Sequence, residues 1–113
     1  MRVFIDKRVH VSIRRFYAIT LELHPALDEE TVIKKVNRLY DALDGLGKYP
    51  QIYAKARYRK DWQEKDYREF ICEDFHFAYE ICDTESCEQI VRVRDAVHSL
   101  LYANPEDSID PEE

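Results

Sequence analysis

The sequence predicts an α+β domain in which a helical hairpin in the first half precedes a β-meander in the second, in the order β-α-α-β-β-β. Three observations carry this. Between Lys7 and Leu46 the apolar residues recur at three- and four-residue steps; between Tyr67 and Val93 they alternate; and Pro25, Gly45, Gly47 and Pro50 punctuate the change.

Each element follows from local chemistry. Val3, Phe4 and Ile5 form a short β-rich run ended by Asp6, read as a first strand. Val9, Ile13, Phe16 or Tyr17, Thr20 and Leu23 then mark one face of a helix that should stop near His24-Pro25, because proline disfavours helical geometry in the residue before it. In the second helix Asp28 is the expected N-cap, with Thr31 at N3 and Glu29 and Glu30 in the first turn, where they complement the helix dipole. Ile33, Val36, Tyr40 and Leu43 form its apolar stripe, widened by Val32, Leu39 and Leu46. Lys48 to Asp66 alternates only weakly and reads partly as loop. Tyr67 to Cys72 and Phe75 to Ile81 are strand-like; the latter puts Phe75, Phe77, Tyr79 and Ile81 on one face and His76, Ala78 and Glu80 on the other. After a turn at Asp83 to Ser86, Val91 and Val93 alternate with Arg92 and Arg94, and Ala96 to Tyr102 either continues that strand or starts a short helix. Two amphipathic helices need an apolar surface to cover, so both are expected on one face of a small antiparallel sheet. The domain is expected to span 1–103, with 104–113 an acidic, disordered tail.

No apolar run approaches the roughly 18 residues of a membrane span, and MRVFIDKRVH has no signal-peptide h-region, so a cytoplasmic protein without membrane contact is expected. The three cysteines, Cys72, Cys82 and Cys87, suit neither a disulfide framework nor zinc, and neither metal nor cofactor is expected. The formal net charge is −6, but the last nine residues carry five acids and no base, which leaves −1 for the rest. Lys55, Arg57, Arg59 and Lys60 form a basic run with no acid among them.

The stretch Phe75-His76-Phe77-Ala78-Tyr79-Glu80-Ile81 resembles the strand of the RelE/ParE superfamily that reads aromatic, Arg, apolar, apolar, Tyr, any, Ile. Ile90-Val91-Arg92-Val93 leading to Val97-His98-Ser99, the helical hairpin and Tyr49-Pro50 extend the resemblance over about residues 1 to 102. That superfamily holds the toxin halves of type II toxin-antitoxin modules, so the resemblance implies a cognate antitoxin as partner and one of two targets: messenger RNA on the ribosome, cut by the RelE-like branch, or DNA gyrase, poisoned by the ParE-like branch. RNA cleavage of this kind needs a group to activate the ribose 2′-hydroxyl, cations for the phosphorane charge and an acid for the leaving oxygen. The resemblance implies such groups on the concave sheet face and near the C-terminus, for which Arg68, His76, His98 and Tyr102 are the candidates, with Lys55, Arg57, Arg59 and Lys60 facing phosphate.

Two departures stand against it. His76 replaces the arginine of the strand pattern, and an ordinary histidine, titrating near 6.5, is mostly neutral at pH 7. Leu100-Leu101 follows His98-Ser99 where ParE-like members often carry arginine. A non-toxic binding module that keeps the fold is therefore a further reading. Structural roles also stand beside the functional ones: His76 as a solvent- or partner-facing side chain, the basic run as protection of a sheet edge, Arg92 and Arg94 as partners for an acidic antitoxin segment, and Tyr17, Tyr40 and Tyr79 as core. Tyr53, Tyr58 and Trp62, interleaved with the basic run, are possible stacking surfaces for unpaired bases.

Overall fold

A computed structural model describes residues 1–102; the acidic tail expected at 104–113 lies outside the described residues. The elements are β1 (Arg2–Ile5), α1 (Lys7–Leu23), α2 (Glu29–Gly45), a short α3 (Lys60–Glu64), β2 (Arg68–Cys72), β3 (Phe75–Asp83) and β4 (Gln89–His98), followed by one 3-10 turn, Ser99–Leu101. The α+β class, the helical hairpin and the later three-stranded meander are as expected. The sheet order is β1-β4-β3-β2, and β1 runs parallel to β4, so the sheet is mixed rather than wholly antiparallel. A four-residue apolar run carries no signal of strand direction, and the meander pattern alone describes only the other three strands.

The helices cover one face. Val9, Ile13 and Tyr17 of α1, Val32, Leu39 and Leu43 of α2, and Leu46 join Phe70, Phe75, Phe77, Tyr79, Val91, Val93 and Ala96 in one core cluster. On α2 the buried stripe is turned by about one residue from the expected one, leaving Ile33 52% exposed while Leu39 is fully buried. Asp28 caps α2 as expected, accepting from the Glu30 N–H (3.1 Å) and the Thr31 hydroxyl (3.3 Å). Gly47 serves a close approach: the N-terminal amino group donates to its carbonyl at 2.9 Å, and a Cβ there would lie 2.1 Å from the Met1 carbonyl oxygen. The end of α2 is thereby fixed against the start of β1.

The segment from Lys48 to Asp66 is more ordered than its weak alternation suggested. Ala56 N–H donates to the Tyr67 carbonyl and Glu69 N–H to the Ala54 carbonyl, so the segment runs along the free edge of β2. It then forms α3 and inserts Trp62, 1% exposed, against the sheet face opposite the helices, in a second apolar cluster with Ala56 and Ala78. Tyr67, Val97 and Tyr102 pack around it. That face is thus partly covered by the chain itself.

A β-bulge decides which residues share a face. Ala78 is opposite Asp95 and Tyr79 is opposite Val93, leaving Arg94 as the extra residue of β4. Val91 and Val93 face the helices before the bulge; Ala96 and His98 face them after it, while Asp95 and Val97 lie on the other side.

Candidate functional site

On the sheet face away from α1 and α2, β3 and β2 bring a histidine and a glutamate together. The two-residue turn Glu73-Asp74, with both residues at positive φ (49° and 66°), sets Cys72 opposite Phe75 and so Ile71 opposite His76, with Glu69 on the diagonal. His76 Nδ1 lies 2.6 Å from Glu69 Oε2 and its Nε2 lies 3.1 Å from Ser99 Oγ. The Tyr102 hydroxyl donates to the second oxygen, Glu69 Oε1, at 2.9 Å. The Tyr102 ring stacks on the imidazole with centroids 3.8 Å apart and planes inclined by 19°. The His76 and Glu69 side chains are only 14% and 11% exposed, so their hydrogen bond lies in a medium poorer in water than the surface.

Ser99 Oγ donates to the Asp74 carbonyl at 2.8 Å, which leaves its lone pairs to accept from His76 Nε2–H. The Tyr102 hydroxyl proton points at Glu69 Oε1, so both oxygens of that carboxylate are engaged, one by the phenol and one by the imidazole. Burial first, then the Glu69 hydrogen bond and charge, pushes the Tyr102 phenol well above its ordinary value; it is an acid held in its protonated form.

A second layer adjoins this one. The Arg59 guanidinium lies 5.0 Å from the Trp62 ring and 6.0 Å from that of Tyr102, and Trp62 meets Tyr102 edge-on at 5.9 Å. Arg59 makes two hydrogen bonds to Asp61 (3.0 and 2.9 Å), and Trp62 Nε1 donates to Asp95 at 3.0 Å. Burial works against both charges of the Arg59–Asp61 pair, yet their contact prevails, holding Asp61 below the usual carboxylate range and Arg59 above its own.

The other expected site residues are distributed differently. His98 lies on the helix side of the sheet, stacked on Phe16 at 3.8 Å and edge-on to Phe75 at 5.1 Å, between two grooves of about 500 and 440 Å³. Its Nδ1 accepts from the Leu100 N–H (3.2 Å), and burial lowers its affinity for a proton. Arg68 donates to the backbone carbonyls of Tyr53 (2.6 Å) and Gln51 (3.4 Å), where it ties down the edge segment. Only His76 and Tyr102 of the four are brought together. Of the basic run, Arg59 is buried, Lys55 pairs with Asp66 at 2.9 Å, and Arg57 and Lys60 are exposed. Arg92 and Arg94 are held by the protein's own acids, Arg92 by Asp6 (3.0 Å) and Arg94 by Asp6 (3.3 Å) and Glu80 (2.6 Å).

Sequence reasoning missed Glu69, Ser99 and Asp95 as members of the site. The turn at Glu73-Asp74 carried the signal for Glu69, because a two-residue hairpin fixes the register and with it the diagonal neighbour of His76. Among the described residues, no group of three or more His, Cys, Asp or Glu is placed to hold a metal ion. No protein-family model matches the chain, and no curated protein matches it in sequence.

Proposed function

We propose that this chain is the toxin of a type II toxin-antitoxin module and cuts messenger RNA as RelE-like toxins do, with His76 at the centre of the reacting group. The observation that supports this reading is the pairing of His76 with Glu69 at one ring nitrogen and with Ser99 at the other, at the position where the resembling strand pattern has arginine. The imidazole there brings a proton that can be transferred at neutral pH, which an arginine does not offer.

The chemistry balances with these groups. The ribose 2′-hydroxyl attacks the adjacent phosphorus, giving a 2′,3′-cyclic phosphate and a leaving 5′-oxygen. Glu69 Oε1, once released by Tyr102, accepts the 2′-hydroxyl proton; His76 Nε2–H donates to the leaving oxygen; and Arg59, beside the Trp62 and Tyr102 rings, offsets the phosphorane charge. Ser99 and Asp74 hold the proton of Nε2 in place between turnovers.

Induced expression tests the proposal. Growth should stop, mapped transcript 5′ ends should reveal cuts on translated messages, and His76→Ala should lower cutting by about 10² to 10⁴, the usual contribution of a positioned acid or base. Arrest with intact transcripts and a DNA-damage response would assign the chain to the gyrase-directed branch, and normal growth would leave a binding module.

A further inference from the structure

Tyr102 fills a place whose shape and chemistry suit a different ring. Below it lies the His76 imidazole at 3.8 Å, nearly parallel; to its side lie the Trp62 indole and the Arg59 guanidinium. A flat ring on a histidine, edged by tryptophan and arginine, is how proteins hold unpaired bases of single-stranded RNA. The polar end of the place is equally specific. Glu69 Oε1 accepts a single proton there, from the Tyr102 hydroxyl, and a carboxylate accepts equally well from the amino group of adenine, cytosine or guanine.

The tether is light. Tyr102 follows a single 3-10 turn in which Leu100 and Leu101 are 81% and 67% exposed, and among the described residues its backbone N–H donates to Ser99 alone, at 3.3 Å. The ring can therefore leave while the sheet and the helical core keep their contacts. Nothing comparable holds for Trp62, which is buried and bonded to Asp95.

We infer that His76, Trp62 and Arg59 form a stacking slot for one unpaired, amino-bearing nucleobase, and that Tyr102 occupies this slot in the resting protein. The inference rests on the proposed role of this face in RNA binding and makes it specific: a base enters as Tyr102 leaves, and its amino group takes the place of the phenol at Glu69.

Trp62 is the chain's one tryptophan, so its emission reports on the slot alone. The test is to titrate the purified full chain with adenosine, cytidine or guanosine 5′-monophosphate, with ribose 5-phosphate as a competitor lacking a base. Tyr102→Ala should bind the nucleotides at least about tenfold more tightly than the parent chain, since no ring has to be expelled and a stacked base contributes that much or more. Tyr102→Phe, which keeps the ring and loses the Glu69 bond, should fall between, and ribose 5-phosphate should not compete. A folded Tyr102→Ala chain that binds no more tightly than the parent overturns the inference, as does equal competition by ribose 5-phosphate. If Tyr102→Ala does not fold, Tyr102→Phe binding no more tightly than the parent overturns it. Nucleotide binding without transcript cleavage would leave the slot and remove the proposed function, and cleavage without nucleotide binding would do the reverse.

Discussion

His76 and His98 are one imidazole each, and their surroundings give them opposite chemistry. Around His76 a carboxylate oxygen and a serine oxygen lie within hydrogen-bond reach of the two ring nitrogens, so the ring can pass a proton to either side. Around His98 the backbone N–H of Leu100 donates and partial burial beside two phenylalanines favours the neutral ring. The sign for stability follows. Burial lowers the His98 proton affinity below its ordinary value of 6.5, so the unfolded chain binds the proton more readily than the folded one. This stability is present above that value, falls as the pH drops through it and levels off below the folded value. His98→Phe keeps the stack on Phe16 and removes the titration, so the loss of melting temperature between about pH 7.5 and 5.5 should be smaller in the variant than in the parent chain. A second residue-scale expectation concerns Tyr79, whose buried hydroxyl donates to the Pro50 carbonyl at 2.7 Å. Tyr79→Phe should cost about 1 kcal/mol in denaturant titration, with the loop rather than the sheet loosened.

At the scale of elements, much was legible because the rules are local. The two helices, the Asp28 cap and the alternation of β3 each depend on neighbours a few residues away, and each stands as read save for the stripe of α2, which is turned by about one residue. The bulge in β4 was not legible. Regular alternation from Val91 and Val93 puts His98 on the same face as Arg92 and Arg94, and hence beside His76; one extra residue, Arg94, reverses the phase and carries His98 to the helix side. That single insertion puts on opposite faces of the sheet two histidines that the sequence offered as candidates for one site. Arg68 was misplaced for a related reason: its value lies in bonds to Tyr53 and Gln51, in a segment with no period from which to predict its path along β2. The same scale gives a paired test of the junction between α2 and β1. Gly47→Ala drives a methyl into the Met1 carbonyl and should destabilise by about 1–3 kcal/mol, whereas Gly45→Ala meets nothing within 4 Å and should be neutral or stabilising by up to about 1 kcal/mol.

For the whole molecule, the sheet divides two kinds of surface. One face is covered by α1 and α2 and is apolar from Val9 to Leu46. The other carries Glu69, His76 and Tyr102 beside Trp62 and Arg59, partly roofed by the segment that contains α3. Among the described residues no helix is long and apolar enough to cross a membrane. The proposed reaction belongs to the second face alone. The most direct test compares transcript cleavage on expression of the parent chain, His76→Ala and His98→Phe, with each variant shown to be folded by its melting transition. Cleavage should fall by about 10² or more in His76→Ala and persist in His98→Phe; cleavage that survives in His76→Ala, or disappears only in His98→Phe, would contradict the placement of the active face.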